Sequence, residues 1–196
     1  LLRNNLTDSE MLGDLDVIDR QANRAHEIVR EMLDFARPKT RQGENCILNE
    51  VVEKYVDLFF VQADKKKVSL SKDLESKLFR IRADESAVEQ ILSNLLLNAI
   101  DAAGEGGWVK VSTYSNPQNA RVYLAVMDSG PGISEEKQHQ VFDPFYSTKD
   151  SGGTGLGLTV VYGLVQELNA DIEVTNDQGA KFSIGFSIGE EVCRKE

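Results

Sequence analysis

Cysteine, histidine and long apolar runs are scarce in this sequence. Its two cysteines, Cys46 and Cys193, stand far apart and have no His or Cys nearby at metal-binding spacing. A reduced, cytoplasmic protein is therefore expected, without a disulfide framework or a zinc site. No apolar run approaches the roughly 18 residues that a transmembrane helix requires. Because the chain also has no signal peptide and no initiator Met, we expect a fragment that could reach a membrane only through a missing upstream region.

Positive charge is also in deficit. The 196 residues contain 22 Lys and Arg against 32 Asp and Glu, which gives a net charge of −10. Such an acidic chain is a poor partner for nucleic acid or for an anionic membrane surface. Any phosphate group would have to be bound by local backbone dipoles, a few cations and a metal ion. A hydrophobic fraction of 41% is nevertheless enough for a buried core, and the length corresponds to one or two domains.

A helical seam occupies the first part of the chain. Between residues 8 and 37, small and apolar side chains recur every three or four positions, which is typical of a helix in a bundle or coiled coil. Pro38 ends the pattern. Because one helix cannot bury such a stripe alone, we expect residues 1–38 to be the second part of a truncated helical hairpin that forms a four-helix bundle in a homodimer. The seam consists of Leu15, Ile18, Ala22, Ala25, Val29, Met32 and Ala36.

A polar linker at 39–46 leads to a second unit at 47–190, and residues 191–196 form a tail. Helical and strand-like patterns alternate in the second unit, which predicts a two-layer α/β (α+β) sandwich with helices on one face of a mixed sheet. The polar stretch 134–154 is long for a loop in a compact domain, which indicates a lid. Helices are expected at 48–63, 84–103 and 155–168, and strands at 67–74, 78–81, 108–114, 121–127, 171–176 and 181–188.

Asp128 stands at the end of a β-prone apolar run and is followed by a tight turn. Gly130, Pro131 and Gly132 redirect the chain and leave no side-chain bulk above the acid. This predicts a floor for a flat ring, with a carboxylate that accepts a hydrogen bond from an amino group. A second glycine-rich run, 152–158, precedes a helical pattern, and backbone N–H groups at a helix start can bind phosphate. Taken singly, either stretch is also compatible with being only a turn.

Three polar residues share one face of the long helix expected at 84–103. Asn94, Asn98 and Asp101 follow one another at i, i+4 and i+7 among leucines. They could cap or bridge neighbouring loops, since buried polar groups need partners. Alternatively they line a cleft and hold a hydrated Mg²⁺ against the phosphates of a nucleotide, because Mg²⁺ needs only one or two protein oxygens beside water and phosphate.

Four segments, in this order, resemble the sequence motifs of sensor histidine protein kinases. Asn94-Leu-Leu-Leu-Asn98-Ala99 resembles their N box, 128–133 their G1 box, 141–149 their F box and 153–158 their G2 box. Leu33-Asp-Phe-Ala-Arg37 also resembles the end of a helix in their dimerisation and phosphotransfer domain. The resemblance covers residues 8–188. It implies the Bergerat-type ATP-binding fold, which these kinases share with gyrase, heat-shock chaperones and mismatch-repair ATPases.

The resemblance implies a protein-histidine kinase that binds Mg²⁺ together with ATP or ADP. It implies that Asn98 binds Mg²⁺, that Asp128 accepts the adenine amino group and that Lys149 pairs with the phosphates. Asn94 stands where related ATPases carry a catalytic Glu, and an amide cannot act as a strong base for water. Asn94 and Lys149 are thus the expected catalytic residues. The nucleotide site is expected to comprise Asn94, Asn98, Asp101, Asp128, Gly130, Gly132, Ile133, Thr148, Lys149, Gly153, Thr154, Gly155, Leu156, Gly157 and Leu158.

The chain departs from the family pattern at the phosphoacceptor histidine and at Ala180. The family's phosphoacceptor is a His followed by an acid on the first helix of the bundle. His26 precedes Glu27, but the rest of the motif does not follow and Pro38 is too near, so we expect the phosphoacceptor upstream of this chain. His139, in the lid region, is expected to be solvated. Ala180 stands where the family often has a Thr whose hydroxyl supports the adenine-binding Asp, so adenine affinity could be lower.

The implied reaction passes the γ-phosphate of ATP to a His and then to an Asp of a response-regulator receiver domain. The chain itself is expected to bind nucleotide without autophosphorylation. Two alternatives stay open: an ATPase that uses the nucleotide as a clamp, and a non-catalytic binding module. Phe142, Phe145 and Tyr146 either anchor the lid or touch the nucleotide.

Overall fold

The structure is a computed structural model that describes residues 45–147 and 154–189, together with 13–15, 17–19, 21 and 22. The residues described between 13 and 22 are helical, within the segment for which the seam predicts a helix. The rest of that segment, including His26, lies outside the described residues. In the described ranges, no helix combines the length and the apolar character that crossing a membrane requires.

Three helices form one layer of the described domain: α1 (Leu48–Lys65), α2 (Glu85–Ala103) and α3 (Gly157–Glu167). Asp84 caps α2, because its side chain accepts hydrogen bonds from the backbone N–H groups of Ser86 and Ala87. Gly104 ends α2 with a φ of +66°, a left-handed conformation that glycine adopts without a steric penalty. The three expected helices are confirmed, although α1 extends to residue 65 and α3 begins only at residue 157.

Seven strands accompany these helices in the described ranges: β1 (Asn45–Cys46), β2 (Ser69–Leu74), β3 (Ile81–Arg82), β4 (Trp108–Asn116), β5 (Arg121–Asp128), β6 (Asp171–Asn176) and β7 (Ala180–Ser187). Five of them form one sheet in the order β2–β4–β5–β7–β6. Strands β2 and β4 are parallel and the other neighbours are antiparallel, which confirms the predicted mixed sheet. The strand expected at 78–81 is wrong in extent, since only Ile81 belongs to β3, which pairs with β1 outside the main sheet.

One face of the main sheet is covered by the helices. On this face Val111 of β4 lies opposite Val126 of β5, which lies opposite Phe182 of β7, and all three are buried. Helix α1 packs on β2 and β4, α2 on β4 and β5, and α3 on β6, around one core. The other face carries the stacked rings of Tyr114 and Tyr123, whose centroids are 4.9 Å apart. The predicted two-layer sandwich is therefore confirmed.

Residues 45 and 46, at the end of the expected linker, are part of this folded unit. Asn45 and Cys46 pair with Arg82 and Ile81, and Cys46 is only 4% exposed. Burial, reinforced by nearby carboxylates such as that of Glu85, raises the pKa of the Cys46 thiol to about 12. The protonated thiol behaves as a small apolar side chain of the core.

Candidate functional site

A cleft of about 730 Å³ opens between α2, the turn after β5 and the start of α3. Gly130 and Leu156 lie beside this cleft: Gly130 donates a hydrogen bond to Asp128, and Leu156 is buried. Thr148, Lys149 and Gly153 lie outside the described residues, so their roles stay predictions. The predicted site residues that line the cleft are Asn94, Asn98, Asp101, Asp128, Gly132, Ile133, Thr154, Gly155, Gly157 and Leu158.

The floor of the cleft is the carboxyl group of Asp128. This residue ends β5 and is 3% exposed. Its Oδ1 accepts hydrogen bonds from the backbone N–H groups of Gly130 at 2.7 Å and of Ala180 at 3.4 Å. Burial raises the pKa of Asp128 and these two hydrogen bonds oppose the rise. Because the backbone uses Oδ1, Oδ2 is the oxygen available to a bound group.

Two glycines allow distant segments to meet at this floor. A Cβ on Gly179 would lie 1.9 Å from the backbone oxygen of Asp128, and one on Gly130 would lie 2.7 Å from the backbone oxygen of Ala102. Neither position tolerates a side chain unless the backbone moves. The approach of Gly179 brings the backbone N–H of Ala180 to Asp128, and this donor supports the acid whatever side chain stands at position 180.

The turn that follows Asp128 is fastened by a residue of β6. Asn176 accepts a hydrogen bond from the Ile133 N–H at 2.9 Å and donates one to the Ile133 carbonyl at 2.7 Å. Gly132 precedes this clamp with a φ of +74° and has no room for a Cβ, which would lie 2.8 Å from the Asn176 Oδ1. The clamp holds the base of the lid against the sheet, and Asn176 was not among the predicted site residues.

The long wall of the cleft is the asparagine face of α2. The Nδ2 of Asn94 donates to the backbone oxygen of Gln90 at 3.0 Å, which orients the amide. Gly157, the first residue of α3, lies against both amides, because an added Cβ would be 3.4 Å from the Asn94 Oδ1 and 3.7 Å from the Asn98 Nδ2. Among the described residues no side chain caps α3, so the N–H groups of its first turn remain for a bound anion.

The lid aromatics fall into separate roles. Phe142 packs against Tyr162 and Phe182, with ring centroids 5.3 Å and 6.4 Å away, and so anchors the lid. Tyr146 lines the cleft, whereas Phe145 is 63% exposed. The backbone of Phe145 contacts Gly155. No side chain fits at position 155, because an added Cβ would lie 2.4 Å from the Phe145 carbonyl carbon. His139 is exposed, as expected.

Several lining residues lie outside every motif. Gln62 and Lys66 enter the cleft from the end of α1, and Lys137 enters from the lid. No periodicity or glycine pattern marks them, because their place depends on how α1 packs beside α2. In the described part of the chain no cluster of three or more His, Cys, Asp or Glu could hold a metal ion by itself. A metal in this cleft would therefore need ligands from a bound molecule and water.

Comparison with known proteins agrees with this geometry. The family described as "Histidine kinase-, DNA gyrase B-, and HSP90-like ATPase" matches residues 83–190, more than half of the 196 residues. The chain is 35% identical over 163 residues to the sensor histidine kinase ZraS of Klebsiella oxytoca, covering 83% of this chain and 35% of that protein. It is 31% identical over 188 residues to the signal transduction histidine-protein kinase AtoS of Escherichia coli (strain K12), covering 94% and 30%. The chain thus spans about a third of the length of these curated relatives.

Solved structures lead to the same group of proteins. A nucleotide-free catalytic domain of histidine kinase ThkA matches with a TM-score of 0.68 and 29% identity, over 76% of this chain and 97% of that one. ThkA in complex with the response regulator protein TrrA matches with a TM-score of 0.77 and 27% identity, over 94% of this chain and 53% of that one. Sequence motifs, fold and cleft therefore agree that the chain belongs to the histidine kinase-, DNA gyrase B- and HSP90-like ATPase family, among the sensor histidine kinases.

Proposed function

We propose that this chain is the ATP-binding catalytic part of a protein-histidine kinase in a two-component system. It binds Mg²⁺ and ATP in the cleft and positions the γ-phosphate for attack by a His that we expect upstream. A response-regulator aspartate then takes the phosphoryl group. The observation that supports this most directly is the meeting, in one cleft, of a buried carboxyl group, an amide-bearing helix face and a helix start without a side-chain cap.

The Asp128 carboxylate makes the cleft selective for adenine. Its Oδ2 can accept a hydrogen bond from the exocyclic amino group of the ring, while Oδ1 stays on the N–H groups of Gly130 and Ala180. Guanine presents a carbonyl oxygen at the corresponding ring position, and two acceptors facing each other in a desolvated site repel. Adenine nucleotides should therefore bind and guanine nucleotides should not.

The asparagine face suits a magnesium ion that is shared with phosphates. Asn94 and Asn98 supply neutral amide oxygens, and Mg²⁺ prefers oxygen ligands while keeping several waters. Bound there, the ion would neutralise charge on the transferred phosphoryl group. Gly155 and Gly157 line the cleft beside this position, so the chain's contribution is to position the phosphates with backbone N–H groups.

Asn94 favours phosphotransfer over hydrolysis. Its amide is held by Gln90 on the cleft wall and cannot take a proton from water at neutral pH. A kinase benefits from this, because an activated water would compete with the acceptor His. The clamp-type ATPase, in contrast, needs a base in the cleft. Steady ATP hydrolysis that is lost in an Asn98→Ala variant would favour that second function.

The proposed partners are a second copy of the chain and a response-regulator receiver domain. Ile18, a residue of the predicted seam, is 62% exposed in the single chain, which is consistent with a stripe that a partner covers. ThkA, which shares this fold, forms a complex with the response regulator protein TrrA. We propose the same class of partner for the full-length kinase, and a cytoplasmic location for this part of it.

Isothermal titration calorimetry on the 196-residue chain tests the proposal. Mg-ADP should bind in the micromolar range or tighter and GDP should not bind, while removal of Mg²⁺ with EDTA should weaken ADP binding. Equal heats for ADP and GDP, or no binding of either, would overturn the assignment. Labelled ATP then distinguishes the reaction: acid-labile phosphate on a supplied His-bearing bundle indicates a kinase, and steady release of inorganic phosphate indicates a hydrolase.

A further inference from the structure

A lysine at the end of α1 lies in the cleft although no motif contains it. Lys66 follows the last residue of α1 and lines the cleft next to Gln62. Its Nζ forms an ion pair with the Oδ1 of Asp101 on α2. The pair therefore joins two neighbouring helices through side chains that both reach the cleft.

Asp101 lines the cleft from α2, after the two asparagines in the chain and just before Ala102. It lies one turn beyond Asn98 on the amide face of α2. The next residue, Ala102, lies under Gly130, since a Cβ on that glycine would be 2.7 Å from the Ala102 oxygen, and Gly130 in turn bonds to Asp128. Along α2, the asparagine amides therefore come first and the residues next to the Asp128 floor come last. A nucleotide extended from Asp128 to Asn98 would lie along the part of α2 that carries Asp101.

A carboxylate at this point is unfavourable for a polyphosphate. Like charges in a partly desolvated cleft repel, and the chain as a whole carries a net charge of −10. Lys66 neutralises Asp101, and its ammonium group has three N–H donors, of which this contact needs one. In the part of the chain that the structure describes, the only other lysine lining the cleft is Lys137, which belongs to the lid.

We propose that Lys66 is a phosphate-binding residue of this cleft and that Asp101 holds it in position. The inference rests on the proposed function and adds a residue to its site. The ammonium group donates one hydrogen bond to Asp101 and a second to an oxygen of the phosphate chain. Because the Lys66 side chain is 46% exposed and that of Asp101 31% exposed, the pair contributes little to folding. Removal of the Lys66 side chain should therefore lower the nucleotide affinity and leave the free energy of unfolding nearly unchanged.

The chain contains a matched control for this test. Lys54 and Glu89 also join α1 to α2 through an ion pair, with an N–O distance of 2.5 Å, and neither residue lines the cleft. Lys54→Met removes an ion pair of the same kind between the same helices. A comparison of Lys66→Met with Lys54→Met separates the loss of an interhelical pair from the loss of a cation in the cleft.

The experiment is calorimetric titration of Mg-ADP and of adenosine into both variants and the wild-type chain. Lys66→Met should weaken Mg-ADP binding about tenfold, as expected for one charge-assisted hydrogen bond, and adenosine binding less than about twofold. Lys66→Arg keeps the positive charge, so its Mg-ADP affinity should be closer to that of the wild type than to that of Lys66→Met. Adding Asp101→Asn to Lys66→Met should also recover part of it, because the carboxylate that repels the phosphates is gone. Thermal unfolding of each variant checks that it is folded.

The outcomes for the two proposals differ. If the wild type binds Mg-ADP and Lys66→Met binds it as tightly as Lys54→Met does, Lys66 does not contact phosphate and the inference is overturned alone. The same conclusion follows if Lys66→Met weakens adenosine and Mg-ADP equally, since the effect is then on the ring pocket. A wild-type chain that binds no Mg-ADP overturns the proposed function and the inference together.

Discussion

Replacing Asp128 by Asn should separate the structural from the recognition role of this side chain. Asparagine has the same shape, and its Oδ1 can still accept the N–H groups of Gly130 and Ala180. The other terminal atom changes from a carboxylate oxygen to an amide that only donates. The fold should tolerate the variant, whereas an adenine amino group would meet a donor in place of an acceptor.

The expected change in stability depends on pH. Because burial raises the pKa of Asp128 in the folded protein, the folded state holds a proton more strongly than the unfolded chain. The stability from this linkage is fully present below the unfolded pKa of 3.8 and is lost as pH rises through the folded pKa. At pH 7 the wild type therefore carries the penalty of a buried carboxylate that the Asn variant lacks. Asp128→Asn should be as stable as the wild type or slightly more stable at pH 7, and this advantage should vanish below about pH 4.

The expected loss of binding is larger. A hydrogen bond to a charged acceptor contributes about 1.5–3 kcal/mol, and a donor facing a donor adds a desolvation penalty. Mg-ADP affinity should therefore fall about 100-fold. Urea denaturation at pH 7 and pH 4 measures the first effect, and calorimetry measures the second.

Asp128→Ala is the companion variant. It removes the acceptor of the buried Ala180 N–H and of the partly buried Gly130 N–H, so it should cost about 1–3 kcal/mol of stability as well as binding. An Asp128→Asn protein that is folded and binds Mg-ADP within about twofold of the wild type would refute the assigned contact with adenine. A loss of more than about 2 kcal/mol in Asp128→Asn would refute the account of the backbone hydrogen bonds.

Three further predictions concern the surroundings of the cleft and the core. Gly179→Ala should destabilise the domain by about 3 kcal/mol in urea denaturation and abolish Mg-ADP binding, because its Cβ would lie 1.9 Å from the backbone oxygen of Asp128. Asn176→Ala removes both hydrogen bonds that clamp Ile133, so it should cost about 1 kcal/mol of stability and weaken Mg-ADP binding several-fold in calorimetry. In a variant whose other cysteine is replaced by Ser, Cys46 should not react with a thiol reagent at pH 8 until urea unfolds the chain. Only the thiolate reacts, and the pKa of Cys46 in the folded protein is about 12.

Each of these has a matched comparison. Gly157→Ala places its Cβ no closer than 3.4 Å to Asn94 and should leave the unfolding free energy unchanged, so equal destabilisation of both glycine variants would contradict the steric argument. Asp177→Ala changes the exposed residue next to the clamp and should leave Mg-ADP binding at the wild-type level. If Asn176→Ala also binds normally, the clamp does not position the turn. For Cys46, reaction of the native protein at the rate of the unfolded chain would contradict its burial.

Local chemistry in the sequence was enough for much of the fold and for the two halves of the cleft. The polar face of α2 follows from helical periodicity alone, and the cap at Asp84 and the stop at Gly104 are set by their own backbone neighbours. The tight turn at Gly132 needs the positive φ that glycine allows. Such features depend on a few consecutive residues, so they can be inferred before any tertiary contact is known. These segments also follow one another in the order found in histidine kinases, and the resemblance to that family depends on this order.

Contacts across long sequence distances were decided only by the tertiary structure. Ala180 meets Asp128 from 52 residues away, and Lys66 meets Asp101 from 35 residues away. The first contact requires β7 to lie next to β5 in the sheet, and the second requires α1 to pack beside α2. No periodicity encodes strand order or helix packing, because many arrangements bury the same apolar faces. The sequence by itself thus determined the acid at the floor of the cleft and the asparagine wall. The packing of the domain determined which backbone donor supports the acid and which lysine enters the cleft.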